Sequence, residues 1–221
     1  MPFHTKITLS DKELSLIQNT DWFFVKKAVI DKVYLLFSVY SKFVQNEMLS
    51  SSRFPEKALD STPKISRGEQ YLGLPYVILD YPKFFDKSSS FAIRTMFWWG
   101  NFFSITLLVS GEYKKRIDQK ALELLAQQHS SLFLCISSSE WAHHFEPDNY
   151  IPLHQLKGHE ISERLSSSTF IKLALKFPLT DWEKLEEFLR EGYQILAGLL
   201  ISYPNDEKGL SPDIPKADFD L

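Results

Sequence analysis

Four of the six histidines of this chain fall within one short stretch of the sequence. Glu140, His143 and His144 have helical offsets of 0, 3 and 4, which would place their side chains on one face of a helix. Imidazole nitrogens and a carboxylate in that arrangement can bind one divalent metal, and His154 or His159 could complete the coordination shell. A zinc or iron ion held there would activate water, so this stretch raises the hypothesis of a metal-dependent hydrolase.

A polar surface loop rich in histidine is the other interpretation of this stretch. The residue order differs from the His-Glu-x-x-His pattern of zinc proteases, in which two histidines lie four residues apart. The connection from Ser137 to Ser168 joins two predicted strands, and connections of that length either carry function or contain structure of their own. Ser137-Ser138-Ser139-Glu140 matches a capping box and predicts a short helix that begins there. The sequence leaves both interpretations open.

A predicted β-hairpin from Phe91 to Ser110 holds the second group of candidate residues. Two β-patterned runs flank Gly100-Asn101, and a turn at that dipeptide pairs residues whose numbers add up to 201. A four-residue loop centred there gives the same pairing. One face is then almost entirely apolar and is expected to be the core face, with the pairs Trp98–Phe103, Met96–Ile105, Arg94–Leu107 and Ala92–Val109.

Arg94 is the one charged residue on that predicted core face. An unpaired buried guanidinium is energetically prohibitive, so Arg94 needs a carboxylate or a bound anion. Asp80 and Asp86, on the segment before the hairpin, are the candidate carboxylates. A contact to a ligand is the alternative.

The opposite predicted face of the hairpin alternates large aromatic residues with small hydroxyl residues. Aromatic walls with a few hydroxyl groups line many small-molecule clefts, but they also occur where a helix packs on a sheet. The candidate ligand-binding residues are Thr95, Phe97, Trp99, Phe102, Ser104 and Thr106 of this face, together with Arg94 of the other face.

Other kinds of chemistry have little support in the sequence. No Gly-x-Ser-x-Gly nucleophile motif occurs, and no glycine-rich turn follows a predicted strand, as nucleotide-binding folds require. The single cysteine, Cys135, lies in an apolar run and is predicted to be a buried, unreactive thiol. No cofactor is expected beyond the divalent metal of the histidine hypothesis.

The composition narrows the classes of partner. A net charge of −3 without a basic stripe argues against nucleic-acid binding. The longest apolar stretches are short or interrupted, and the N-terminus lacks a signal-peptide core. We therefore expect no membrane span and a cytoplasmic location. The expected partner is a small molecule or a protein, including a second copy of the chain in a homo-oligomer.

Strong helix signals lie near both ends of the chain. Ser10-Asp11-Lys12-Glu13 and Thr180-Asp181-Trp182-Glu183 match capping boxes, and Thr20-Asp21 opens a long helical pattern. Apolar residues three or four apart form the predicted buried stripe of this long helix, namely Trp22, Val25, Val29, Val33, Leu36, Tyr40 and Phe43. A helix this apolar must be covered by a sheet or by a partner chain.

The remaining patterns are mainly those of strands. Residues 50–70 are predicted to be a loop because serines, prolines and a glycine interrupt them. Strand patterns follow at 74–82, in both arms of the hairpin, at 132–136 and at 170–177, with one helix after the hairpin. This order predicts an α+β fold, with a mainly antiparallel sheet of about five strands and the long N-terminal helix and a C-terminal helix packed on it.

We expect residues 1–204 to form a single α+β domain, with a helical segment at 10–49 and a sheet-containing core at 71–204. Residues 205–221 hold prolines and acids and are expected to be a loosely ordered tail. Without a complete catalytic constellation, the sequence favours a non-catalytic domain that binds a small molecule or a protein. The alternative is a metal-dependent hydrolase that uses the histidine-rich insertion at 140–159.

Overall fold

The computed structural model describes residues 7–48 and 53–202. This part of the chain is an α+β structure with one antiparallel sheet, which confirms the predicted fold class, although the sheet has seven strands rather than about five. The strands lie side by side in the order β1-β2-β3-β4-β7-β5-β6. Their bounds are Lys64–Tyr71 (β1), Leu74–Phe85 (β2), Ser90–Trp98 (β3), Phe102–Ser110 (β4), Leu132–Cys135 (β5), Tyr150–Pro152 (β6) and Phe170–Pro178 (β7).

Six α-helices accompany the sheet in the described ranges. They are Asp11–Gln18 (α1), Thr20–Met48 (α2), Glu56–Leu59 (α3), Gln119–Gln128 (α4), Gly158–Ser167 (α5) and Leu185–Gly198 (α6). Short 3₁₀ turns lie at Gly111–Arg116, Leu153–Gln155 and Leu179–Lys184. Among these helices, none combines the length and the apolar character that crossing a bilayer requires.

The main core lies between one face of the sheet, the inner face, and helices α2 and α6. Phe37 of α2 meets Phe103 of β4 edge to face, with 6.4 Å between the ring centres. The Tyr40 hydroxyl of α2 donates to the Leu189 carbonyl of α6 at 3.0 Å and so joins the two helices. The helix residues enclosed here include Ile30, Val33, Phe37, Tyr40, Val44, Leu185, Leu189, Tyr193 and Leu196.

The structure confirms two of the predicted helix starts and contradicts a third. The capping box before α1 is present, since the Ser10 hydroxyl accepts the Glu13 N–H and the Glu13 carboxylate accepts the Ser10 N–H. Helix α2 begins at Thr20 as predicted. The second capping box is wrong, because the Thr180 hydroxyl donates to Asp181 inside a 3₁₀ turn and α6 begins only at Leu185.

The prediction of a loop across residues 50–70 is wrong for the part from Glu56 onwards. Helix α3 and strand β1 occupy much of it, and residues 49–52 lie outside the described part, as does the predicted tail at 205–221. Strand β1 has a largely polar sequence, Lys-Ile-Ser-Arg-Gly-Glu-Gln-Tyr, because it lies at the edge of the sheet. It is held in the sheet by its hydrogen-bonded pairing with β2, and a strand of this kind has no hydrophobic pattern from which it could be predicted.

The predicted register of the β3–β4 hairpin is wrong by one residue. The loop has three residues, Trp99-Gly100-Asn101, so Trp98 pairs with Phe102 and paired numbers add up to 200. Gly100 has a φ of +72°, a conformation that glycine adopts without steric cost. Because side chains alternate along a strand, the one-residue slip moves every β4 side chain to the other face relative to β3. Arg94 therefore faces Thr106 instead of Leu107.

The close approach of α6 to the sheet yields a stability prediction. A Cβ atom at Gly192 would lie 2.8 Å from the Ile105 Cγ2 atom, in a closed part of the core. We expect Gly192→Ala to lower the free energy of unfolding by about 1–3 kcal/mol through overpacking. The control is Gly198→Ala, because a Cβ there meets nothing within 4 Å. That variant should be neutral or more stable by up to about 1 kcal/mol, because alanine favours helices more than glycine does. Urea unfolding of both variants measures the difference, and equal losses would contradict the packing argument.

Candidate functional site

Arg94 lies on the outer face of the sheet, the face opposite α2 and α6, where it pairs with Asp80 on the neighbouring strand. Its Nε donates to Oδ1 of Asp80 at 2.6 Å and its Nη2 donates to Oδ2 at 2.9 Å, so the pair is bidentate. Asp80 is 8% exposed. Of the two predicted carboxylates, Asp80 is therefore the partner. Asp86 accepts the N–H groups of Ser88 and Ser89, which lowers its pKa.

His143 is the third member of this group. The Nη1 atom of Arg94 lies 2.9 Å from the Nε2 atom of His143. A guanidinium only donates hydrogen bonds, so Nε2 must accept, and the imidazole is neutral with its proton on Nδ1. Burial, and then the charges of Arg94 and Lys172, lower the pKa of His143 to about 2. His143 thus links a loop to the sheet as a neutral hydrogen-bond acceptor.

That loop, residues 136–149, is here called the outer loop, and it covers the outer face of the sheet. The Lys172 ammonium, which is 1% exposed, donates to the carbonyl oxygens of Glu140 at 3.0 Å and Ala142 at 2.5 Å. The Tyr71 hydroxyl accepts the N–H groups of His143 at 2.5 Å and His144 at 3.0 Å. Side chains of the sheet therefore satisfy the backbone of a loop that has no regular structure of its own.

Aromatic rings close the outer face further. Phe145 of the outer loop stacks on Tyr150 at 4.5 Å between ring centres and meets Phe102 and Phe133 edge to face at 5.0 Å. The Arg94 guanidinium lies 5.6 Å from the ring centre of Trp141. A cavity of about 10 Å³ remains between Arg94, Thr106, Glu140, His143, Lys172 and their apolar neighbours. This space is of the order needed for one water molecule.

The structure divides the residues predicted to line a ligand cleft. Arg94, Phe102, Ser104 and Thr106 share the outer face beneath the outer loop, whereas Thr95 and Phe97 belong to the inner face with the core helices. Trp99 lies in the hairpin loop. Both faces of the hairpin are covered by the chain itself, and the buried members of the set are Thr95, Phe97, Phe102, Ser104 and Thr106.

The histidine-rich insertion contains no helix at the predicted place. Ser137 and Ser139 accept N–H groups two residues ahead, so local turns replace the expected capping box. His154 lies in a 3₁₀ turn, and His159 lies in the first turn of α5, a helix that was not predicted. Within residues 7–48 and 53–202, no three His, Cys, Asp or Glu side chains are grouped so as to hold a metal ion.

A large apolar surface at the N-terminus was missed by the sequence reasoning. The predicted buried stripe of α2 lies in the core only beyond its first turns, because Trp22 is 46% exposed and Val25 is 61% exposed. Helix α1 has no buried residue. Nine large apolar side chains are exposed between residues 7 and 25, namely Ile7, Leu9, Leu14, Leu16, Ile17, Trp22, Phe23, Phe24 and Val25. We call these nine residues the N-terminal surface.

The N-terminal surface borders an open groove between α2 and the edge strand β1. The groove has a volume of about 560 Å³ and is lined by Phe23, Lys26, Lys27, Ile30 and residues 67–69. Lys26 forms an ion pair with Glu69 at 2.5 Å across it. The sequence signal for this surface was the run of four consecutive apolar residues at 22–25, because one buried face of a helix cannot accommodate all four.

Comparisons with protein-family models, with curated protein sequences and with solved structures gave no significant match. Function is therefore inferred from the geometry of the molecule.

The Asp80–Arg94 pair leads to a test of stability. We expect Asp80→Asn to lower the free energy of unfolding by about 3 kcal/mol or more, since it leaves an enclosed guanidinium without its counter-charge. Glu69→Gln is the matched control, because it removes the carboxylate of an ion pair in which Glu69 is 57% exposed. That change should cost less than about 1 kcal/mol. Chemical unfolding of both variants measures the two losses in the free energy of unfolding. A loss for Asp80→Asn as small as that for Glu69→Gln would contradict the proposed contribution of the Asp80–Arg94 pair to stability.

The lowered pKa of His143 predicts a pH dependence. An unfolded histidine takes up a proton near pH 6.5, whereas the folded His143 remains neutral down to about pH 2. The stability from this group is therefore complete above pH 6.5 and falls as the pH is lowered, by up to about 1.4 kcal/mol per pH unit. His143→Gln should remove this slope between pH 6.5 and 5, and His154→Gln, at an exposed site, should retain it. Unfolding free energies measured at several pH values test this, and parallel curves for wild type and His143→Gln would refute it.

Proposed function

We propose that this protein is a non-catalytic protein-binding domain that docks on its partner through the N-terminal surface. The observation that carries the proposal is the exposure of nine large apolar side chains in residues 7–25. Contiguous exposed apolar area on a soluble monomer is usually limited to roughly 300–600 Å², and larger patches mark interaction sites.

The aromatic residues contribute much of this surface. Trp22, Phe23 and Phe24 are 46%, 60% and 64% exposed. Because an aromatic side chain can bury about 150–250 Å², these three alone offer roughly 300 Å² to a partner. The six aliphatic side chains of the surface are 44% to 85% exposed and enlarge it well beyond that value. A standard interface takes roughly 800 Å² from each partner, which a surface of this size approaches.

The candidate ligand-binding residues of the β3–β4 hairpin do not form an open small-molecule site, because the chain covers both faces of the hairpin. Ser104 and Thr106 are 3% and 5% exposed, and the nearby cavity of about 10 Å³ is far smaller than the roughly 300 Å³ of a small ligand pocket. The metal-dependent hydrolase is not favoured either. His143 is engaged with Arg94, and the described residues bring no metal-binding trio together.

Site-specific photo-crosslinking in cells tests the proposal. A benzoylphenylalanine placed at Phe24 should give crosslinked products whose second component, identified by mass spectrometry, is a protein. The matched control is the same group at Leu124, which is 55% exposed on α4 and lies outside the N-terminal surface. We expect at least about tenfold more product at Phe24, equivalent to about 1.4 kcal/mol of preference. Equal yields at the two positions, or no protein product at either, would mean that the N-terminal surface does not bind protein.

A further inference from the structure

We propose that the partner is a second copy of this chain, packed antiparallel along the solvent side of α2, with a two-fold axis between Asp31 and Lys32. This proposal rests on the proposed protein-binding function and names the partner. Of the N-terminal surface it uses Phe24, and from there it extends the interface along most of the helix.

The interface consists of one exposed stripe of α2, here called the outer stripe. At about 100° per residue, its members fall within a band about 100° wide on the side opposite the buried residues Ile30, Val33, Phe37 and Val44. All eight are exposed, namely Asp21, Phe24, Ala28, Asp31, Lys32, Leu35, Val39 and Lys42. A solvent-facing stripe is normally polar, but Phe24, Leu35 and Val39 are 64%, 67% and 59% exposed.

The charges of the outer stripe are complementary to themselves in one orientation. Both acids, Asp21 and Asp31, precede both bases, Lys32 and Lys42. In an antiparallel pair centred between residues 31 and 32, each residue faces the one whose number completes a sum of 63. Asp21 then meets Lys42, and Asp31 meets Lys32, each contact occurring twice. A parallel pair in register would place acid on acid and base on base, which is unfavourable.

The apolar residues of the stripe match under the same rule. Phe24 of one copy faces Val39 of the other, and Ala28 faces Leu35. A small residue opposite a larger one lets two helices approach and interdigitate. Since a two-fold interface uses the same patch on both copies, every contact is repeated by symmetry and the assembly closes as a dimer.

A separate feature of the fold lies where the Phe24 ring of the second copy would arrive. Beside Val39, a mostly apolar cavity of about 70 Å³ opens between α2 and α6. Its walls include Leu36, Phe43 and Arg190, and the guanidinium lies 5.0 Å from the centre of the Phe43 ring. An aromatic side chain from a second copy would cover this cavity, and the dimer would contain two such contacts.

A charge-exchange experiment on the full chain tests the dimer. Sedimentation equilibrium of the wild type should give twice the chain mass at high concentration. Asp21→Lys and Lys42→Asp should each weaken dimerisation at least about tenfold, since each places like charges together twice. The double variant should return to near the wild-type dissociation constant. Residues 21 and 42 are about 32 Å apart along one helix, so this restoration requires a second copy. Circular dichroism checks that every variant is folded.

Disulfide formation checks the register in a Cys135→Ser background. A chain with Phe24→Cys mixed with a chain with Val39→Cys should form a crosslinked dimer, whereas either chain alone should not. A disulfide requires Cα atoms within about 7 Å, and equivalent residues at position 24 would lie about 22 Å apart in this arrangement. Crosslinking of the Phe24→Cys chain with itself would overturn the register.

The outcomes separate this proposal from the function on which it rests. A chain that stays monomeric at all concentrations, or a double variant no better than the single ones, overturns the second-copy proposal. If the group at Phe24 then crosslinks to a different protein, the protein-binding function stands. Binding to phosphatidylserine vesicles by a monomeric chain, lost in Phe24→Glu and without any protein crosslink, overturns both proposals.

Discussion

The cross-strand pair between Asp80 and Arg94 is the interaction on which the outer half of this structure depends. Two central strands, β2 and β3, carry opposite charges toward a face that the chain then covers. Once enclosed, the guanidinium must have its hydrogen bonds satisfied, and Asp80 and His143 supply them. This requirement holds the outer loop to the sheet, and Lys172 and Tyr71 reinforce it by binding backbone groups of the same loop.

The two faces of the sheet are closed by different means. The inner face is apolar and is covered by helices α2 and α6, whose contacts are mainly hydrophobic and whose backbone approaches the sheet closely at Gly192. The outer face mixes ions, hydroxyls and aromatic rings and is covered by an irregular loop. A loop can cover it because the polar side chains of the sheet replace the hydrogen bonds that a helix would have made within itself. The candidate cleft of the hairpin is filled in this way by the chain's own residues.

Helix α2 has a second apolar side. Its buried stripe completes the core, while its first turns and its outer stripe expose aromatic and aliphatic residues to solvent. Apolar area of this extent is unfavourable in water, so its concentration on one helical segment indicates a role in association. The proposed antiparallel dimer accounts for both the apolar residues and the order of the charges along the outer stripe.

The sequence contained the local features of the fold and one feature of the site. The capping residue Ser10, the start of α2 at Thr20 and both strands of the hairpin could be predicted because they depend on neighbouring residues. The need of Arg94 for a counter-charge, with Asp80 and Asp86 as the candidate carboxylates, could also be predicted, since desolvation of a charge is costly in any fold. The structure selected Asp80. The length of the hairpin loop could not be predicted. The resulting shift of one residue in register exchanged the faces of β4 and divided the candidate cleft between the two sides of the sheet. The pairing of strand β1 and the position of the outer loop could not be predicted from the sequence either. Both depend on contacts between residues far apart in the chain, namely the edge pairing with β2 and the hydrogen bonds of Lys172 and Tyr71. Local hydrogen bonding and periodicity are thus encoded in short segments of the sequence. Which side chains are covered by segments far away in the chain, and which, like Phe24, stay exposed, is decided only by the tertiary structure.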